Sequence, residues 1–310
     1  MSTVPSPATP TGAPSAAPPL TPSGTSSVTP SVTSSGESDA PRVRVVRVGT
    51  VELGAGRPKV VVPLTAADTA GLVEEARAAR GAHPDLVEWR VDHLRAGLAP
   101  REVVAAGRAL VAALEGLPLL VTVRTAAEGG AADPDDTTWA AALEAAVAEG
   151  LADAVDVEGA RGADAVARVV AAARHAGVPV VASRHEVRST PPQDVLTERL
   201  LALGATGADV LKIAVMPQAP EDVLALLGAT RAASLRTDRP LVTMAMGPLG
   251  VLTRLGGGVF GSCATFGRVG RASAPGQVAV APLRAALAVV HGADDEGVVA
   301  GADHAPGRAR

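Results

Sequence analysis

Short apolar runs recur along the chain and alternate with alanine-rich stretches whose apolar residues fall three and four positions apart. The runs are 59–64 KVVVPL, 85–91 DLVEWRV, 118–124 PLLVTVR, 152–157 ADAVDV, 178–184 VPVVASR, 209–215 DVLKIAV, 240–245 PLVTMA and 258–262 GVFGS. Between them, residues 66–80, 101–115, 137–149, 162–176, 220–235 and 282–290 combine Ala, Leu, Glu and Arg at helical spacing, which predicts helices. Strands that alternate with helices pair in parallel through crossovers. Nearly continuous apolar strands are buried on both faces. Eight such units predict a closed (β/α)8 barrel, a TIM barrel of the α/β class, with an open doubly wound sheet as the alternative. Residues 43–54 have strand character of their own and are expected to form an N-terminal hairpin closing the barrel floor.

Composition sets the limits of this domain. Residues 1–41 are Ser, Thr, Pro, Ala and Gly with few large apolar side chains, so they cannot bury enough surface to offset their ordering entropy. They read as a disordered tail with neither the basic and apolar regions of a secretory signal nor the arginines of a transit peptide. The stretch 291–310 is small, charged and punctuated by Gly and Pro, and is expected to be flexible. What remains, 42–290, has the usual length of one (β/α)8 domain. The net charge of −4 gives no reason to expect nucleic-acid binding, and no apolar run approaches a membrane span. A single cysteine, Cys263, rules out an internal disulfide framework and a cysteine zinc site, and reads as a small core or loop residue.

The candidate chemistry follows from strand parity. In a barrel alternate strand residues point inward, and reactive groups gather at the C-terminal strand ends. Glu88, Arg90 and Asp92 share one face, as do Asp156 and Glu158, and Ser183 and His185. Arg124 ends its strand and is followed by Glu128 in a Gly-Gly loop, and Arg254 follows the seventh strand. On the sixth strand Val210, Lys212 and Ala214 share a face, with Leu211 and Ile213 on the other. Only Lys59 and Lys212 among 28 basic residues are lysines. A lysine inside an apolar strand, with arginines near, favours the neutral amine, which attacks a carbonyl to form an imine. Arginine stays protonated and cannot do this. His185 is suited to moving protons near neutral pH, and the arginines to gripping a carboxylate. The residues describe a metal-free, imine-forming enzyme acting on a small carbonyl acid. Trp89 and Met216, Met244 and Met246 read as core, His83, His93 and His175 as surface or loop, and Asp92 and Asp156 as supporting or structural groups. Lys59 reads as a surface residue, and 256–258 as a flexible glycine connection.

These motifs resemble type I 3-dehydroquinate dehydratase, the Schiff-base enzyme family of the shikimate pathway. The resemblance rests on 87–94 VEWRVDHL, 122–130 TVRTAAEGG, 156–158 DVE, 183–191 SRHEVRSTP, 207–218 GADVLKIAVMPQ, 243–255 TMAMGPLGVLTRL, 259–267 VFGSCATFG and 273–278 SAPGQV, in family order across most of 57–285. It implies Lys212 as the imine-forming lysine, His185 as the general acid/base and Glu128 as its orienting partner. It implies Glu88, Arg90 and Arg124 as substrate-binding residues, Arg254 for the substrate carboxylate, and Ser273 and Gln277 as lid residues on its hydroxyls. The implied reaction is syn dehydration of 3-dehydroquinate to 3-dehydroshikimate by a homodimer, with no metal or cofactor; the single cysteine fits a cytoplasmic setting, and charge and apolar runs give no reason to expect a nucleic-acid or membrane partner. Three positions depart from the pattern. Glu186 and Val187 follow His185 where the family often has Asp-Phe, Pro63 stands where some members have Ser, and Arg271 where others have Lys. The rivals are a class I Schiff-base aldolase on the same barrel and a non-catalytic binding barrel. The E-W-R, E-G-G and S-A-P-G-Q motifs argue against the first, and the joint presence of Lys212, His185 and Glu128 against the second.

Overall fold

The computed structural model describes residues 41–270 and 272–292. The expected tails at 1–41 and 291–310 lie outside the described residues except at Pro41, His291 and Gly292, as does Arg271. The chain opens with an antiparallel hairpin, β1 (Val46–Val48) and β2 (Val51–Leu53). Its turn is pressed against the base of the sheet. A Cβ on Gly49 would stand 2.9 Å from Pro118 and 3.1 Å from the Asp153 carboxylate, and φ there is +55°. Only glycine combines that conformation with that approach. Val46, Val48 and Leu53 enter the same apolar cluster as Val61, Leu86, Leu120, Val181, Val210 and Val242, so the hairpin plugs the floor as expected.

The barrel strands are β3 (Lys59–Leu64), β4 (Leu86–Arg90), β5 (Leu119–Thr122), β6 (Ala154–Glu158), β7 (Val180–Glu186), β8 (Val210–Val215), β9 (Leu241–Ala245) and β10 (Ala264–Arg268). Each pairs in parallel with its neighbour, and the short β11 (Val278–Ala279) adds beyond β10. The nine-stranded sheet curls until β9 meets β10. There it closes through a single Leu241–Ser262 bridge, the Cys263 N–H donating to Leu241 O at 2.7 Å, and the Thr243 N–H donating to Ser262 Oγ at 3.0 Å. Strand parity divides the core in two. Leu211, Ile213 and Val215 of β8 pack outward among Trp89, Trp139 and the helices, whereas Val210 and Ala214 point inward with Phe266 and Met244. Cys263 is half-buried beside the inner cluster, and burial pushes its thiol up to about 12; it is an inert packing residue.

Among the described residues eight α-helices cover the sheet: α1 (Thr69–Ala82), α2 (Pro100–Leu114), α3 (Asp136–Ala148), α4 (Ala163–His175), α5 (Gln193–Ala202), α6 (Pro220–Ser234), α7 (Val251–Gly256) and α8 (Val280–His291). Asp68 caps α1 by accepting from Gly71 N–H, and Asp135 caps α3 by accepting from Thr138 N–H, while Pro opens α2 and α6 where no N–H is needed. Two of these helices, α5 and α7, are additional to the six that the pattern predicts. The eighth strand is also displaced from 258–262 to Ala264–Arg268. Gly257–Phe260 form a 3-10 turn that ends at Gly261 with φ +113°, and that left-handed residue interrupts any extended run. Residues 256–258 are thus helical, not a loose glycine connection.

Candidate active site

The strand ends deliver their inward side chains to one cavity of about 240 Å³, walled by Glu88, Arg90, Arg124, Glu128, His185, Lys212, Arg254, Ser273 and Gln277, all nine of the site residues expected from the sequence. Lys212 lies on β8 with its side chain 4 % exposed. Its amine does not sit among apolar groups alone, as strand composition suggests. Nζ donates to Asp156 Oδ2 at 3.0 Å and Glu88 Oε1 at 3.3 Å, and stands 4.7 Å from the centre of the Phe266 ring. Thr122 Oγ1 donates to the same Glu88 oxygen at 2.9 Å. Two carboxylates and an aromatic face therefore fix the amine, since a buried charge without partners would be costly.

His185 sits on β7, where Ser183 pairs with Lys212 and His185 with Ala214. The imidazole is thus one inward position further up the adjacent strand, about 7 Å along the chain direction. Its Nδ1 is 2.9 Å from Glu128 Oε2, which leaves Nε2 for the cavity. Burial, together with the positive charges of Arg124 and Lys212, holds the imidazole well below the usual histidine range. Burial also pushes the Glu128 carboxyl up to about 8; Arg124 opposes this, and the carboxylates of Glu158 and Asp156 reinforce it.

Arg124 is the hub of the charge network. Nη1 donates to Glu128 Oε2 at 3.1 Å, Glu158 Oε1 at 3.0 Å and Ser183 Oγ at 3.0 Å, and Nη2 to Asp156 Oδ1 at 2.8 Å. Burial alone would lower its affinity for a proton, but Asp156, Glu158 and Glu128 outweigh that and raise it above the ordinary arginine range. Asp156 behaves conversely. Burial would raise its carboxyl, but Arg124, Lys212, His185 and the Ser183 hydroxyl hold it below the usual carboxylate range, so it is ionised beside the lysine.

Arg254, on α7, is 2 % exposed and has no carboxylate partner among the described residues. Nη1 donates to Phe266 O at 3.3 Å, Nη2 to Pro275 O at 3.4 Å, and Nε is buried with no acceptor. Burial pulls this guanidinium down to about 10. A buried, under-satisfied guanidinium on a cavity wall is a receptor for an anion. Above it, the segment carrying Ser273 and Gln277 folds on itself: Gln277 Oε1 accepts from Ser273 N–H at 2.8 Å, and Gln277 Nε2 donates to Ser273 Oγ at 3.0 Å. This segment docks by its backbone, Gly247 N–H donating to Pro275 O at 3.1 Å.

Several wall residues were not expected from the sequence. Met216, Met244 and Met246 line the cavity in addition to packing the core, and Val187 lines it where a Cβ on Gly129 would stand 3.0 Å from its Cγ1. Asp156 belongs to the lysine's immediate surroundings. Its parity with Glu158 on β6 signals an inward position, but not that it reaches across to β8. Trp89 is core, and His83 and His175 are exposed, as expected; His93 is half-buried with Nε2 3.7 Å from Asp92 Oδ2.

The chain is similar to proteins of one known family. The model of the family Type I 3-dehydroquinase matches residues 60–294. A 3-dehydroquinate dehydratase of Lactiplantibacillus plantarum is 42 % identical over 242 residues, covering 78 % of this chain and 96 % of its own. One of Escherichia coli O9:H4 is 42 % identical over 250 residues, covering 80 % and 99 %. Among solved structures, a type I 3-dehydroquinate dehydratase of Clostridium difficile carrying covalently modified comenic acid superposes with a TM-score of 0.78 at 36 % identity, covering 80 % of this chain and 98 % of that one. The Geobacillus kaustophilus HTA426 3-dehydroquinate dehydratase superposes with a TM-score of 0.77 at 35 % identity, covering 82 % and 98 %.

Proposed function

We infer the roles of the site residues from one premise: this chain belongs to the type I 3-dehydroquinase family. Its reaction is accordingly the dehydration of 3-dehydroquinate in the shikimate pathway, catalysed by a carbon–oxygen lyase on a TIM barrel. The observation that best supports the residue assignments is the pairing of β7 with β8, which sets His185 one inward position above Lys212 on a shared cavity.

In the mechanism we propose, the Lys212 ammonium passes one proton to His185 Nε2, the resulting neutral amine attacks the C3 carbonyl of the substrate, and that proton leaves with the carbinolamine hydroxyl as water, so that a protonated imine remains. Asp156 and Glu88, already against Nζ, offset its positive charge. His185 Nε2 takes the C2 proton, held in orientation by the Nδ1 contact to Glu128, and the electron pair of the C–H bond passes into the imine to give an enamine. The enamine then expels the C1 hydroxyl, which leaves as water with the proton carried by His185, on the same face. A second water cleaves the conjugated imine, freeing 3-dehydroshikimate and the lysine. The water lost on imine formation is returned on hydrolysis, so the net change is loss of one water from the substrate. The imine is the electron sink, so the proposed sequence calls on no metal or cofactor.

Arg254 receives the substrate carboxylate, because it is the wall cation that lacks an acidic partner among the described residues. Arg90, with Nε and Nη2 held by Asp92, presents Nη1 to the ligand together with Glu88, while Ser273 and Gln277 close over the hydroxyls. Arg124 is assigned to the substrate side as well, acting through Glu128 and Asp156, to which its terminal nitrogens are committed. We place the protein in the cytoplasm as a homodimer that binds no nucleic acid. The resemblance to the family and the net charge of −4 support this, and no described helix is long and apolar enough to cross a membrane. The test mixes purified protein with 3-dehydroquinate and follows ultraviolet absorbance of the conjugated enone. Absorbance growth with no turnover of sugar phosphates supports the assignment, and a flat trace overturns it.

A further inference from the structure

The E-W-R-x-D motif ends in a residue with no part in the chemistry above. Asp92 is not in the cavity wall, and its side chain is 0 % exposed. Its two oxygens nevertheless receive four N–H groups. Oδ1 accepts from Arg90 Nε at 2.8 Å and from the Arg124 backbone N–H at 3.2 Å. Oδ2 accepts from Arg90 Nη2 at 2.7 Å and from the Ala131 backbone N–H at 2.9 Å. That is about the full acceptor capacity of a carboxylate.

The donors come from two functional units. One is the guanidinium of Arg90 on the cavity wall. The others are the two ends of segment 124–131, which carries Glu128 between them. The segment is a tight loop: Gly130 N–H donates to Thr125 O and Ala126 N–H to Ala132 O, both at 2.7 Å. A Cβ on Gly130 would stand 1.9 Å from Arg124 O. Such a loop moves as a unit, so a hold on both ends sets where Glu128 meets His185.

We propose that Asp92 is a positioning residue for the dehydration: one buried carboxylate fixes both the Arg90 guanidinium that faces the substrate and the loop that holds Glu128 against His185. The inference rests on the reaction assigned above. Asparagine has the same shape but cannot replace it. Whichever way the amide is turned, its NH2 faces one Arg90 N–H and one backbone N–H, because each oxygen serves one of each.

The test compares Asp92→Asn with Asp153→Asn in the full chain. Asp153 also accepts a backbone N–H, that of Leu119 at 2.8 Å, but at the barrel floor. Asp92→Asn is expected to raise KM through Arg90 and lower kcat through Glu128, with kcat/KM falling about 10- to 100-fold. It is also expected to speed hydrogen exchange at the Ala131 and Arg124 amides. Asp153→Asn is expected to lose stability with both kinetic constants kept. A folded Asp92→Asn enzyme with wild-type kcat and KM overturns the proposal. If that variant does not fold, Ala131→Pro removes only one donor to Oδ2. It should lower kcat with KM kept, and an unchanged kcat overturns the proposal. A wild-type chain inactive on 3-dehydroquinate would reject the assigned reaction, whereas unchanged Ala131 and Arg124 exchange in Asp92→Asn would reject the role of Asp92 by itself.

Discussion

Lys212 Nζ lies 3.0 Å from Asp156 Oδ2, and Asp156 Oδ1 lies 2.8 Å from Arg124 Nη2. One carboxylate thus joins the reactive amine to the cation that holds Glu128. The positive charge at Lys212 has compensating partners before substrate arrives and keeps them in the protonated imine. Lys212→Arg preserves the charge and removes the proposed nucleophile. Turnover should fall on the order of 10⁴-fold or more, as when a covalent catalyst is deleted, with substrate binding retained. Borohydride added with 3-dehydroquinate should fix an adduct on Lys212 in the wild-type protein, read by peptide mass spectrometry. An adduct on Lys59, or none, would exclude the imine route.

In the proposed mechanism the His185–Glu128 pair sets the pH dependence. The base needs Nδ1–H donated to a Glu128 carboxylate and Nε2 unprotonated, which is one proton on the pair. A second proton goes onto the pair as pH falls, because Glu128 is pushed up to about 8, and it blocks Nε2. So kcat/KM should rise with pH along an acid limb with an apparent pKa near 8 that belongs to the pair. In Glu128→Gln the limb belongs to His185 alone, held low by burial and by Arg124 and Lys212. It should move to lower pH while kcat falls about 10²-fold. A steady-state pH series in both proteins decides this, and a limb that stays in place in the variant assigns it to another group.

Arg254 bears a buried charge with no carboxylate among the described residues to offset it. Arg254→Met should therefore raise KM by roughly 10- to 100-fold, the scale of charge-assisted hydrogen bonds lost, with thermal stability kept or increased. A large drop in melting temperature with unchanged KM would instead mark the residue as structural.

Gly276 packs the proposed lid segment against Gly247. Its φ is +80°, and a Cβ would stand 2.2 Å from Gly247 O, so Gly276→Ala meets both a backbone penalty of about 1–2 kcal/mol and a backbone clash. The docked lid should be lost, with KM raised and kcat reduced, while the barrel melts as before. Kinetics together with thermal unfolding check the prediction; wild-type kinetics would show that the lid's docking on Gly247 does not matter for turnover.

The strand parity that puts Lys212, Ser183, His185, Asp156 and Glu158 inside the barrel is legible in the sequence, because side chains alternate with a fixed period of two. The helices covering the sheet are legible from apolar spacing, except α5 and α7. The strand β10 was displaced because the apolar pattern of GVFGS does not reveal that Gly261 adopts a left-handed conformation. Glu128 lies in a loop with no periodic context, so its place after Arg124 is legible but its pairing with His185 is implied only by the family motif. The methionines are legible only as core, because an apolar residue at a cavity wall and one in the core look alike along the chain.

Element types, inward parity, the inventory of reactive groups and the family motifs were therefore determined by sequence alone, since each depends on neighbours a few residues away. Tertiary structure decided the pairings. Arg124 meets Asp156, Glu158 and Ser183 at sequence separations of 32, 34 and 59, Asp92 grips both Arg90 and the Glu128 loop, and Arg254 has no carboxylate partner among the described residues. Those contacts follow from the register of strands around a closed barrel and from loop conformation. Several carboxylates and cations share the inward face, and local pattern does not encode which of them lie within hydrogen-bonding distance.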